Sequence, residues 1–116
     1  MKTTETGRLF ERRALDYLQS QGLKLIEQNF HSSFGEIDLI MTHGKVLVFV
    51  EVRYRQRRDY GGAEYSVTPR KQRRIAQTAQ VFVKARKAGR MTCRFDVIAF
   101  AGSDINWIRS AFDSPI

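Results

Sequence analysis

The chain has 116 residues, 20 Lys+Arg against 12 Asp+Glu, and a formal net charge of +8. That length suits one domain, residues 1–116, around a single core, and an apolar fraction of 42% argues against global disorder. No apolar run approaches the ~20 residues of a membrane span. The start, MKTTETGRLFERRA, has no apolar signal region, so a cytoplasmic protein is expected. The lone cysteine, Cys93, forbids an internal disulfide and fits a reducing compartment.

The basic excess points to an anionic partner, with nucleic acid ahead of an anionic membrane surface. A solvated basic surface is the bland alternative. The charge is concentrated: Arg53, Arg55, Arg57, Arg58, Arg70, Lys71, Arg73 and Arg74 fall within one stretch. Such clustering steers polyanions and releases counterions on binding.

Residues 7–21 read as a helix, with Phe10, Ala14, Tyr17, Leu18 and Gln21 on one stripe. Thr4 or Thr6 is the candidate cap and Gly22 the stop. Glu11 falls on the flank of the inward face, either as a rim residue or as a carboxylate aimed at something cationic within the fold. Residues 23–32 form a weak strand, and Ser32, Ser33 and Gly35 a turn. Residues 36–41 and 46–55 form two further strands, the second rich in β-branched residues. Residues 56–68 lack periodicity and read as a mobile loop that a ligand would order.

Thr68-Pro69 supplies a cap and a first-position proline for a helix to about residue 87, with Gln72, Ile75, Ala76, Ala79, Phe82 and Val83 inward. Residues 94–101 form a fourth strand, residues 105–108 a short last one, and the tail after residue 112 is expected to fray. The order α-β-β-β-α-β, with a further short strand, predicts an α/β fold with a mixed central sheet flanked by helices.

The hairpin carries acids where strands favour apolar residues. With His43 and Gly44 as the central turn residues, Ile40 faces Leu47, Asp38 faces Phe49 and Glu36 faces Glu51. Glu36, Asp38, Glu51 and Arg53 then share one face, with Asp38 diagonal to Glu51. Opposed carboxylates repel, and a bound Mg²⁺ or Mn²⁺ would offset that repulsion through oxygen ligands. Such an ion could polarise a phosphodiester and activate water, with Arg53 holding a phosphate oxygen or the attacking water. The competing reading is a salt-bridged strand in which Arg53 and Arg55 pair with these acids.

Glu36 reads as a rim acid. Gln72 is either site-lining or a helix-start polar contact. Arg70, Lys71, Arg73 and Arg74 occupy the first turns of a helix, where the dipole disfavours cations, and this favours a phosphate partner. Asp96 is expected to pair with Arg94 or another cation. His31, His43 and Cys93 lack the spacing of a zinc site. Tyr54 and Trp107 are expected in core or rim packing rather than in base stacking.

Gly7 with Glu11, Ala14 and Leu18, the runs Gly35-Glu36-Ile37-Asp38-Leu39-Ile40 and Phe49-Val50-Glu51-Val52-Arg53, then Val67 with Lys71, Gln72, Arg73 and Arg74, and Arg94-Phe95-Asp96-Val97 with Ala111-Phe112 are spread in order over nearly the whole chain. On these residues the chain resembles the YraN-like family of uncharacterised bacterial proteins. That family is similar to the restriction-endonuclease-like, PD-(D/E)xK nucleases, archaeal Holliday-junction resolvases among them. The resemblance implies that Asp38 is the motif aspartate and Glu51 the acid of the (D/E)xK pair, together holding Mg²⁺, and that Glu11 completes the pocket. It places Arg53 where the pair has lysine, and Gln72 at a polar helix position lining the site.

The activity implied is divalent-metal-dependent cleavage of a nucleic-acid backbone, DNA or RNA, in its resolvase-like form a structure-specific cleavage of DNA by a homodimer. Arginine stays protonated, so Arg53 serves only if a fixed positive charge suffices. A nucleic-acid-binding module whose chemistry has lapsed, or a basic adaptor for an acidic protein, are the alternatives.

Overall fold

Apolar periodicity divides the described residues into seven elements. The computed structural model describes residues 4–55 and 67–114, in the order α1 (Glu5–Ser20), β1 (Lys24–Ser32), β2 (Gly35–His43), β3 (Val46–Arg55), α2 (Pro69–Ala85), β4 (Thr92–Ala101) and β5 (Asp104–Phe112). The loop expected at 56–68 falls, up to residue 66, outside the described residues. None of the described helices is long and apolar enough to cross a membrane.

The strands make one five-stranded sheet in the order β1-β2-β3-β4-β5. All neighbours are antiparallel except β3 and β4, which run parallel, so α2 lies on the crossover between them. The protein is thus α/β, with a mixed sheet between two helices. On one face Ala14, Leu15 and Leu18 of α1 pack on Leu39, Met41, Val48, Val50, Val52, Ile98 and Phe100. On the other, Ile75, Ala76, Ala79 and Phe82 of α2 pack on Ile40, Leu47, Phe49, Phe95, Val97 and Ala99. β3 is buried on both sides, which explains its unbroken apolar run.

Both helices begin as their caps require. Thr4 Oγ1 accepts the Gly7 N–H at 3.0 Å, and Thr68 Oγ1 accepts that of Lys71 at 3.2 Å. Replacing Thr68 by alanine should cost about 1 kcal/mol in urea denaturation, the usual worth of such a cap. The inward face of α1 differs from the expected stripe. Its buried line is Gly7, Glu11, Ala14, Leu15 and Leu18, while Phe10 and Tyr17 are half-buried and Gln21 is exposed. Glu11 therefore sits in the middle of the packed face, not on its flank.

The hairpin turn also differs. His43 pairs with Val46, so Gly44 and Lys45 are the central residues, and Gly44 takes the positive φ (+62°) that a two-residue turn demands. Ile40 consequently faces Phe49 rather than Leu47. The slip is two residues, an even number, so the paired residues from Leu39 to Val50 keep their faces. The last short strand is in fact nine residues long and ends at Phe112. A register irregularity between Phe95 and Val97 and a positive φ at Ser110 carry β5 past Ile108.

Alternation fails at one place. Ile37 and Ile40 both pack on the α2 side, although an uninterrupted strand would put them on opposite faces. The break lies between the pairs Gln28–Leu39 and Phe30–Ile37, where Asp38 and Asn29 sit, and Asn29 has a φ of +50°. On the other flank, pairing of β2 with β3 stops at Leu39–Val50. Asp38 is thus the residue at which β2 leaves β3 and a cleft opens.

Candidate metal centre

Glu36, Asp38 and Glu51 line this opening, and Glu11 lies against Glu36 and Asp38. Glu11, Asp38 and Glu51 are 4%, 2% and 4% exposed, and Glu36 is half-buried. Continuing the β2–β3 register one step would set Asp38 opposite Glu51, in place of the expected diagonal. Instead of a ladder bond, Asp38 Oδ2 accepts the Val52 N–H at 2.8 Å, which fixes its carboxylate at the end of the paired strands. Glu11, Glu36 and Asp38 each bring an oxygen within 4.8 Å of the other two.

Glu11 is held by Asn29 Nδ2, which donates to Oε1 at 2.9 Å. Its other oxygen, Oε2, is buried and has no hydrogen-bond partner among the described residues. A buried, unsatisfied carboxylate oxygen beside two more acids is costly unless a cation is present. Oxygens sharing one Mg²⁺ at about 2.1 Å stand at most about 4.2 Å apart, so the group closes on such an ion through small side-chain rotations. The donor set is all oxygen, which suits Mg²⁺ or Mn²⁺ and not a soft metal.

The three gathered acids are not quite those expected. Glu36, read as a rim acid, joins Glu11 and Asp38, while its Oε1 also lies 3.1 Å from His31 Nε2. Glu51 faces the same cleft, but its Oε2 lies 2.8 Å from Lys71 Nζ.

The cleft, about 980 Å³, runs between the β1–β2 turn and the start of α2. Its floor carries Glu36, Asp38 and Glu51; its wall carries Arg70, Lys71 and Arg74. Ser32 and Thr78 share a 2.8 Å hydrogen bond that ties the turn to α2. The expected basic cluster is therefore divided. Arg70, Lys71 and Arg74 line the cleft, whereas Arg73 is exposed and lies outside it. Arg57 and Arg58 fall outside the described residues, as does the side chain of Arg55.

Gln72 does not reach the acids: its Nε2 donates to the Val67 carbonyl at 2.8 Å, a helix-start contact. Arg53 is half-buried and pairs with Ala99 along β4; β3 alternation gives it Glu51's face. Asn29 and the inward turn of Lys71 had no signal in the sequence. The first depends on a local positive φ, the second on a contact between elements that are distant along the chain.

The other singled-out residues are structural. Asp96 accepts from Arg94, Trp107 and the Ser110 N–H. His43 Nδ1 lies 2.9 Å from Arg94 Nη2, and Tyr54 stacks on Phe10 at 4.6 Å. Desolvation raises the Cys93 thiol above its ordinary pKa, which disfavours the thiolate a nucleophile needs.

A profile of the uncharacterised protein family UPF0102 matches residues 10–100. The chain is 53% identical over 112 residues to a UPF0102 protein of Alkalilimnicola ehrlichii, covering 96% of this chain and 89% of that one. It is 50% identical to one from Herminiimonas arsenicoxydans, over 93% and 86% of the two chains. It is 46% identical to the UPF0102 protein YraN of Escherichia coli, over 97% and 88%. With this agreement along nearly its whole length, the chain belongs to the UPF0102 family.

Proposed function

We propose that the protein is a divalent-metal-dependent nuclease of the restriction-endonuclease-like type, acting on DNA. The observation that carries this reading is the buried Oε2 of Glu11, without a hydrogen-bond partner among the described residues, beside Asp38 and Glu36, two acids that line a cleft walled by cations. Glu11, Glu36 and Asp38 would hold Mg²⁺ or Mn²⁺, with Glu51 beside them. The cation supplies Lewis-acid polarisation of the scissile phosphate and a more acidic bound water.

The chain's own residues do the rest. The Val52 N–H and the Asn29 amide orient Asp38 and Glu11. Arg70, Lys71 and Arg74 draw the phosphate backbone along the wall of the cleft, and Arg53 adds fixed positive charge on Glu51's face. The reaction is hydrolysis: a water oxygen forms a new bond to phosphorus, the ester P–O bond breaks, and the departing oxygen takes a proton.

The test is incubation of the purified protein with Mn²⁺ or Mg²⁺ and a panel of branched, single-stranded and duplex DNA. Cleavage that disappears with EDTA and in Asp38→Ala supports the reading; no cleavage with either metal sinks it. DNA affinity should fall steeply with salt, and Arg70→Gln with Arg74→Gln should flatten the log–log slope by about one per charge removed. Binding indifferent to salt would contradict the role given to the cleft wall.

One observation favours a lapsed, binding-only module instead: Lys71 already occupies Glu51. That reading predicts the same salt-dependent binding with no cleavage.

A further inference from the structure

Glu51 is nearly fully buried, and a buried carboxylate requires a cation or several donors. Lys71 lies 2.8 Å away, yet its own side chain is 46% exposed. It therefore reaches from the cleft wall down to the floor. It does so from the first turn of α2, where the helix dipole disfavours a cation and no acidic residue offsets it. Arg53, on Glu51's own strand, is not among the residues lining the cleft, whereas Lys71 is. Among the described residues, Lys71 is thus a cation that both touches Glu51 and lines the open cleft, and it comes from α2.

We propose that Lys71 is the working cation of this site, a further catalytic residue. It is paired with Glu51 while the acids hold no metal. Once a divalent cation is taken up it turns to a phosphate oxygen of the substrate. The inference rests on the metal-site reading above. Its physical basis is competition, because one carboxylate cannot fully compensate both an ammonium and a divalent ion. The phosphodiester is the anion that receives the displaced charge. Lysine suits this exchange, being a compact charge on a flexible four-carbon stem. It acts throughout as a fixed positive charge, and no proton has to leave it. Two cations then serve different ends of the reaction: Arg53 stays on the strand, and Lys71 travels with the substrate.

The test compares Mn²⁺ affinity, by isothermal titration, and DNA cleavage in the wild type, Lys71→Met and Arg70→Met. Arg70 lies one residue away on the same helix turn, so its substitution controls for loss of a nearby charge. Lys71→Met should bind Mn²⁺ tighter than wild type by roughly fivefold or more, the lower end of typical coupling between sites. Arg70→Met should gain clearly less. Cleavage by Lys71→Met should fall by about 100-fold despite the tighter metal, because a fixed charge on the phosphate has been lost. If the wild type binds Mn²⁺ and Lys71→Met binds it no tighter, or no tighter than Arg70→Met does, the exchange is refuted and the metal site stands. If Lys71→Met binds tighter but cleaves at the wild-type rate, its role on the phosphate is refuted. If neither protein binds Mn²⁺, both the inference and the metal site fall.

Discussion

Replacing Glu11 by glutamine should make the metal-free protein more stable by about 1–2 kcal/mol, the scale of relieving one unsatisfied buried polar group. The same change should remove divalent-metal-dependent cleavage by about 100-fold or more, since even indirect partners of metal ligands cost about 10- to 100-fold. The two effects have one cause. Among the described residues Glu11 Oε2 is buried without a hydrogen-bond partner, while Asp38 and Glu36 crowd the same space. Glutamine keeps an acceptor for Asn29, removes one of three neighbouring charges, and offers an amide to a remaining carboxylate. A carboxylate fully paired by donors within the fold would lose stability on such a change, whereas packing is untouched because glutamine is isosteric. Urea denaturation in EDTA, beside a cleavage assay in Mn²⁺, reads both halves. A destabilised Glu11→Gln would mean that the carboxylate is internally satisfied and the site is not built around a cation.

The second large effect lies away from the cleft and should touch stability alone. Asp96→Ala is expected to cost about 3–5 kcal/mol, as does breaking other buried ion pairs by removing one partner. Asp96 is 1% exposed and gathers β4 and β5 around itself. Arg94 Nε donates to its two oxygens at 2.9 and 3.1 Å, Trp107 Nε1 to Oδ2 at 2.9 Å, and the Ser110 N–H to Oδ1 at 3.0 Å. Alanine strands all of these donors together. It also weakens the placement of Arg94, whose guanidinium reaches His43 on β2. Urea denaturation measures the loss, and Mn²⁺ affinity of the folded variant should be unchanged. A loss below about 1 kcal/mol would show that water replaces the carboxylate readily.

Several parts of this architecture were readable from the chain. β3 was expected at residues 46–55 and spans Val46–Arg55, because a strand buried on both faces is rich in apolar and β-branched residues, here Val46 to Val50. The start of α2 followed from Thr68-Pro69, where cap and first-turn proline leave little freedom. The hairpin turns at Gly44 and Lys45 rather than at His43 and Gly44, yet Phe49 and Glu51 keep their expected faces, because strand periodicity is two and the shift is two.

Other parts were hidden for identifiable reasons. An apolar stripe is traced through large hydrophobic residues, so Phe10 and Tyr17 drew the helix face toward themselves and left Glu11 on its flank. A carboxylate at the centre of a packed face has no hydropathy signature. β5 was cut short because its burial barely alternates on an edge strand. The kink at Asn29 and Asp38 needs a positive φ at a non-glycine residue, which periodicity cannot foresee. Lys71 looked like one more surface cation of a basic helix, and only the packing of α2 against β3 sets it on Glu51.

Under the proposed nuclease reading Arg53 would stand where the motif has lysine, and the pairing of Lys71 with Glu51 means that positive charge at the acids does not have to come from that strand. α2 presents Lys71 to Glu51 across the cleft, and Arg70 and Arg74 extend the cationic wall beside it.

The central claim is that Glu11, Glu36 and Asp38 form a divalent-cation site. Anomalous diffraction from crystals of the wild-type protein soaked in Mn²⁺ tests it most directly. The account predicts a manganese peak bounded by these three carboxylates, with Glu11 Oε2 turned toward the ion and Lys71 withdrawn from Glu51. A map at full soak with no peak there, and Lys71 still on Glu51, would contradict it.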